Sequence, residues 1–212
     1  QTQVILKHGV TEMVVTGSDL NDDSMTNKSN NFLCAVHFGR NKLGISFLDI
    51  STGEFLTSEG YVEQVDKLLQ NFAPNEVLVS KNHKKEFAEY FGNQYHSFFT
   101  EDWIFQDDYA QESLNNHFGT KTLKGFGIDH LNHGIIASGA VLHYLSETQH
   151  SRLQHINQIQ RIAEEECVWM DRFTIRNLEL YHSPHQNAVT LLDIIDKTLS
   201  PMGGRLLKRW LA

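Results

Sequence analysis

Phe32-Leu-Cys-Ala-Val-His-Phe38, Leu43-Gly-Ile-Ser-Phe-Leu-Asp-Ile50 and Glu54-Phe-Leu-Thr57 decide the fold of this chain. Each is a short run rich in apolar and aromatic residues, the composition that suits a pleated, buried surface. Gly39-Arg-Asn-Lys42 joins the first to the second and Ser51-Thr52-Gly53 joins the second to the third, connections that favour tight hairpins. The spacing predicts a three-stranded antiparallel meander.

Outward from the meander the period changes. Val62, Val65, Leu68, Leu69 and Phe72 recur every three or four residues and Pro74 follows, which predicts an amphipathic helix with a sharp stop. Glu76-Val-Leu-Val-Ser80 reads as a short buried strand parallel to the meander. Phe87, Tyr90 and Phe91 mark a second helix closed by Gly92, and Tyr95–Phe99 a further strand. Residues 107–118 read as a helix with Tyr109, Leu114 and Phe118 inward and Gly119 past its end. His130 to Gln149 is the longest helix, and its Gly134, Ala137, Ser138 and Gly139 permit close packing. Three consecutive strands followed by alternating helix and strand specify an α/β domain, a mixed sheet with flanking helices. On the other side, residues 4–16 suit two short strands or a lead-in linker, and the polar residues 17–31 a surface loop.

Composition shifts near Ser151, and the expected division is 1–150 for the α/β domain and 151–212 for a mostly helical part. The latter holds a strand-like Cys167-Val-Trp-Met170 and helices over 171–180, 189–197 and 202–212, with Asp171 and Ser200 as N-caps and Pro201 at a first helical position. The sequence starts at Gln1 and stops inside an amphipathic helix, so it reads as a piece of a longer chain. Among 212 residues, 18 are Lys or Arg and 26 Asp or Glu, a net charge of −8. Residues 151–212 carry 8 and 7 of these, which leaves −9 on residues 1–150 and +1 beyond. A surface gripping a phosphate backbone needs clustered cations, so residues 1–150 point to a protein partner rather than to direct DNA contact. Cys34 and Cys167 lie in apolar runs with no disulfide framework, and no run reaches the roughly 18 apolar residues of a membrane helix. The expectation is a cytoplasmic chain with no membrane partner.

Chemistry is hard to find. No phosphate loop of either glycine-rich type occurs, and Gly125-Phe-Gly127 leads to Ile-Asp. His130/His133 and His182/His185 share an H-x-x-H spacing, yet neither pair has cysteines nearby and Pro184 interrupts the second, which favours ordinary surface histidines over zinc. Meander-then-helix order is similar to the ribonuclease-H-like fold, whose nucleases need three or four carboxylates converging on metal ions. The first strand has no acid. Asp49 and Glu54 flank a turn, and Asp129 suits a helix N-terminus. A metal-dependent nuclease or resolvase is the alternative reading, and a histidine metal module a third; no catalytic, cofactor or metal residue is assigned.

Several stretches together carry a resemblance. Leu48-Asp-Ile-Ser-Thr-Gly-Glu-Phe55 is similar to the connector signature of MutS-type DNA mismatch repair proteins, and Phe118-Gly119 with Leu123-Lys-Gly-Phe-Gly-Ile128 resembles the turn before their long connector helix. Ala140–Gln149 resembles the end of that helix. Met170–Leu180 and Thr198–Leu211 resemble the opening of the family's helical core, or lever, domain. Val15-Thr16-Gly17 departs from the family's usual T-P-G turn. The resemblance implies a ribonuclease-H-like connector without nuclease activity, followed by the start of the lever. It implies coupling between mismatched-DNA binding and an ATPase, with ATP and magnesium, DNA grip and a homodimer belonging to the parent protein, and no cofactor here. It also implies that the connector receives a MutL-type partner. Asp107, Asp108, Gln111, Glu112 and Asn115 are the candidate partner-facing residues, and a hinge is expected near Ser146–His155. Arg205, Lys208 and Arg209 read as helix-terminal cations rather than DNA ligands.

Overall fold

The computed structural model describes residues 32–148, 153–162, 170, 172–181, 183, 185 and 188–211. The readings of residues 4–31, of Cys167-Val-Trp169 and of Asp171 fall outside these residues.

Phe32–Phe38 (β1), Leu43–Asp49 (β2) and Glu54–Gly60 (β3) form the expected meander, with β1 and β2 paired from Phe32↔Asp49 to Phe38↔Leu43. Glu76–Ser80 (β4) runs parallel to β1, and Ser97–Thr100 (β5) parallel to β4. A two-residue strand, Gln160–Arg161 (β6), closes the other edge parallel to β3, giving the order β5-β4-β1-β2-β3-β6. A three-stranded meander whose first strand is continued on its far side by two parallel strands is the ribonuclease-H-like arrangement.

Both faces of this sheet are covered, which is why its central strands read as continuous apolar runs rather than alternating ones. On one face Phe32, Cys34, Val36, Ile45, Phe47, Val77 and Val79 meet two helices, Val62–Phe72 (α1) and Lys84–Phe91 (α2), through Val65, Leu68, Leu69, Phe87 and Phe91. Ala73, in the left-handed region at φ 42°, ends α1 ahead of Pro74. On the other face Leu33, Ala35, Leu48, Ile50, Phe55 and Leu78 meet Asp107–Phe118 (α3) and Asn132–Thr148 (α4). One side chain departs from the periodic reading. Tyr90 is 50% exposed, lying across Phe38 at the rim, where one ring face finds apolar contact and the hydroxyl keeps water. Asp129 precedes α4, and the carboxylate at that helix start belongs to Glu59 of β3, whose Oε2 accepts the His133 N–H at 3.1 Å.

Helix α4 sits unusually close to the sheet. A Cβ on Gly44 would overlap the backbone carbonyl of His133, and one on Gly134 would lie 2.8 Å from Thr57 Oγ1. Buried hydroxyls fill the same seam. Ser46 Oγ donates to Leu56 O at 2.9 Å and Thr57 Oγ1 to Ile45 O at 3.2 Å. Ser138 Oγ lies 2.8 Å from Gly134 O and 3.1 Å from Ser46 Oγ, so none of the three hydroxyls is stranded.

Residues 153–162, beyond the expected division near 150, pack on this α/β domain. Ile156 and Ile159 are buried in the α4-side core, His155 Nε2 lies 2.6 Å from Ile50 O, and His117 Nε2 lies 2.7 Å from Ile156 O. Ile162 N–H extends the β6 pairing to Thr57 O at 2.9 Å. Of the span expected to hinge, 149–152 lie outside the described residues and 153–155 belong to this strap.

Among the described residues three short helices follow: Arg172–Asn177 (α5), Leu191–Ile195 (α6) and Pro201–Trp210 (α7). Thr190 caps α6 reciprocally with Asp193, and Ser200 Oγ accepts the Gly203 N–H at 3.1 Å, the N-cap read from the sequence.

Two stability measurements test this packing by urea titration. Gly44→Ala should cost about 3 kcal/mol or more, because the overlap is with backbone rather than with a movable side chain, whereas Gly125→Ala, with open space at its Cβ, should stay within about 0.5 kcal/mol. Ile156→Ala should cost about 2–5 kcal/mol of the α/β domain's own unfolding transition; a change confined to a separate transition of the C-terminal helices would contradict its place in the first core.

Candidate partner surface

Helix α3 begins with Asp107 and Asp108, where carboxylates favour the N-terminal dipole, and ends at Gly119 in the left-handed conformation, φ 64°. Its inner face is narrow. Ala110 and Leu114 are fully buried, and a Cβ on Gly139 of α4 would come within 2.5 Å of the Ala110 methyl, so the two helices touch through small residues. Tyr109 and Phe118, expected inward, are half-buried at its margins.

The outer face carries the five residues singled out from the sequence. Asp107, Asp108, Gln111 and Glu112 are exposed; Asn115 is half-buried. Gln111 Nε2 donates to Asp107 at 2.9 and 3.0 Å, and Asn115 Oδ1 accepts from Thr120 Oγ1 at 3.3 Å. Asp108 and Glu112, four residues apart, thus stand as like charges on one exposed stripe.

Beside this stripe the structure adds a group that the sequence reading missed. The turn Asp102–Phe105 is anchored by buried Ile104 and Phe105 and by Ser80 Oγ, which donates to Asp102 Oδ1 at 2.7 Å. That anchoring holds Trp103 outward, 50% exposed. Its ring stands edge-to-face with Tyr109 at 5.1 Å and with His143 of α4 at 5.0 Å. Tyr109 Oη and His143 Nδ1 are 2.6 Å apart. Burial, reinforced by Glu147 and Glu112, pushes the Tyr109 phenol up, and burial pulls the His143 imidazole down against the opposing pull of Glu147. Both shifts favour the neutral forms near pH 7.

The other candidate chemistry is dispersed. His130 precedes α4 and lies 3.2 Å from Arg161, while His133, inside the helix, faces His37 at 5.4 Å. His182 lies outside the described residues and His185 is exposed. Asp49 is buried and its Oδ1 accepts from Ser51 N–H and Oγ–H at 2.9 and 2.6 Å. Glu54 faces Asp49 across the β2–β3 ladder, whereas buried Glu76 lies near Tyr144. Among the described residues no three His, Cys, Asp or Glu side chains are arranged to hold a metal ion. Cys34 is buried and its thiol is pushed well up by desolvation, far from nucleophilic. Lys208 lies over the Tyr181 ring at 5.4 Å, Tyr181 Oη donates to Lys208 O at 2.7 Å, and burial pushes the Tyr181 phenol up to about 12. No described helix is long and apolar enough to cross a membrane.

Against known proteins, the chain matches the family model for MutS domain II over residues 31–157 and that for MutS domain III over residues 173–212. It is 70% identical over 211 residues to the DNA mismatch repair protein MutS of Christiangramia forsetii and 65% identical over 211 residues to that of Flavobacterium johnsoniae. To the MutS protein of Bacteroides thetaiotaomicron it is 50% identical over 210 residues. These alignments cover 99–100% of this chain and 24% of each relative, so the chain spans about a quarter of their length.

One electrostatic consequence is measurable. His37, at the end of β1, stacks on Phe105 beneath the Trp103 turn, and burial, with His133 and His83 nearby, lowers its imidazole to about 4 against the pull of Asp102. A histidine depressed in the folded state is protonated first in the unfolded chain. Stability is therefore unaffected by this group above pH 6.5 and is lost as pH falls from about 6.5 towards 4. In pH-dependent urea melts, His37→Gln should flatten that loss by about 2–3 kcal/mol relative to the parent; parallel curves would contradict it.

Proposed function

Because the chain belongs to the MutS family of DNA mismatch repair proteins, we propose that residues 1–150 together with the strap to Ile162 act as its connector, and that the helices beyond open its lever domain. On this reading the piece performs no chemistry. It links mismatched-DNA binding to the ATPase and presents a docking surface to a MutL-type protein. ATP, magnesium, the grip on mismatched DNA and the homodimer contacts are assigned to the rest of the parent protein, acting in the cytoplasm.

The observation that carries this reading is the pairing of a sheet packed on both faces with an exposed acidic stripe on α3. A sheet filled on both sides by side chains moves as one body, which is what coupling between distant sites requires. The acidic stripe repels a phosphate backbone and favours a protein partner of opposite charge. On this reading a pivot within 153–155 is disfavoured, because bending there would break the His155–Ile50 contact and expose Ile156.

The test is binding of the full-length protein to its MutL-type partner in the presence of mismatched DNA and ATP. Glu112→Lys should weaken the complex about tenfold or more, with a loss that shrinks at high salt, while Glu63→Lys, exposed on α1 across the sheet, should leave it unchanged. Equal affinity for parent and Glu112→Lys would remove α3 as the docking face.

A further inference from the structure

We propose that Trp103, Tyr109 and His143 form an acceptor for an arginine side chain of the protein that docks on α3, with Glu112 and Glu147 supplying the countercharge. This rests on the reading of α3 as a partner surface and goes beyond it by naming an anchor and the residue type it takes. The three rings are mutually edge-to-face, with centroid separations of 5.1, 5.0 and 5.6 Å, so they are fixed before any partner arrives. A fixed aromatic group loses little side-chain freedom on binding, the property that makes tryptophan and tyrosine dominate interface energetics. Half of Trp103 nevertheless faces solvent.

Charge selects the occupant. Residues 101–120 contain Glu101, Asp102, Asp107, Asp108 and Glu112 and no Lys or Arg, and helix α4 carries Glu147 and no Lys or Arg. Glu112 and Glu147 both act electrostatically on Tyr109, and Glu147 also on His143, which places their carboxylates around the ring cluster. Lys81, the cation across from this turn, is paired with Glu101. An anionic ligand or a phosphate backbone would be repelled, and an apolar side chain would leave the carboxylates without a partner. A cation over an indole face with carboxylates at its edge satisfies both features. Arginine fits better than lysine, because its flat guanidinium stacks on a ring while its fork donates to a carboxylate. The neutral Tyr109–His143 pair completes the site, since an imidazolium there would oppose the incoming charge.

The experiment measures affinity of the full-length protein for its MutL-type partner with Trp103→Leu and Trp103→Phe, alongside Glu112→Lys, each variant first shown to melt like the parent. Trp103→Leu keeps bulk without a π face and should lose about tenfold or more, whereas Trp103→Phe should stay within about threefold. Free arginine should compete more strongly than lysine or sodium chloride at equal ionic strength. If Glu112→Lys weakens binding and Trp103→Leu does not, the docking face stands and the arginine acceptor falls. If Leu and Phe variants lose equally, the indole serves shape rather than charge, which also overturns the proposal. If neither Glu112→Lys nor Trp103→Leu has an effect, the docking face itself is refuted. Self-association of the parent that Trp103→Leu abolishes would make a second copy the occupant and overturn it too.

Discussion

The seam between α4 and β2 is the constraint on which the rest depends. A helix and a sheet ordinarily stand about 10 Å apart, separated by branched side chains. Here Gly44 and Gly134 remove those side chains, and the backbone of one element meets that of the other. Close approach costs the apolar area that larger residues would have buried, and exposes backbone and hydroxyl groups to a dry interface. The buried trio Ser46, Thr57 and Ser138 answers that cost by bonding the adjoining carbonyls, with Ser138 and Ser46 also in contact. Once α4 is seated, α3 has one place to lie, against the small-residue ridge at Gly139. The outer face of α3, the Trp103 turn and His143 are all positioned from that seat.

The same seam explains why the domain carries its candidate surface on one side only. On the α1–α2 face, packing is by large side chains, with Phe47 and Phe72 stacked at 4.4 Å and Phe32 edge-to-face with both at 6.1 and 5.4 Å. That face is deep and apolar. On the α4 face the helix is pressed into the sheet, which leaves α3 to form the outer wall and the Asp102–Phe105 turn to cross from β5 to it. A crossing turn must bury something to stay put, and Ile104 and Phe105 do so. Three successive bulky residues cannot all point inward from one short turn, so Trp103 faces out.

Legibility in the sequence followed how local each signal was. Strands β1 to β4 and helix α1 announce themselves through unbroken apolar runs and a 3.6-residue period, and their bounds fell within a few residues of the reading. Polar residues 107, 108, 111, 112 and 115 also follow the helical period, which is why they could be gathered onto one outward stripe. Tyr90 fits the period of α2 yet lies at the rim, because burial depends on what stands opposite and not on spacing alone. The strap escaped notice for the same reason. Gln160 and Arg161 are polar and exposed, and only pairing with Leu56 and Thr57, a hundred residues away in the chain, makes them a strand. Trp103 was silent because a lone aromatic in a four-residue turn has no period; its meaning arises from Tyr109 and His143, brought together by the α3–α4 contact.

Packing also decides where a chain can bend. Motion between two bodies needs a place where few contacts are broken, and a sheet edge closed by β6 and pinned by His155 and His117 is not such a place. Each of those histidines spends its ring nitrogen on a main-chain carbonyl, so opening the strap breaks two hydrogen bonds as well as exposing Ile156 and Ile159. A rotation that kept the strap attached would break none of these. The α/β domain is therefore larger as a packed unit than its composition implies: pairing runs without a break from β6 to β3 and β2, and β2 carries the α4 seam against which α3 lies.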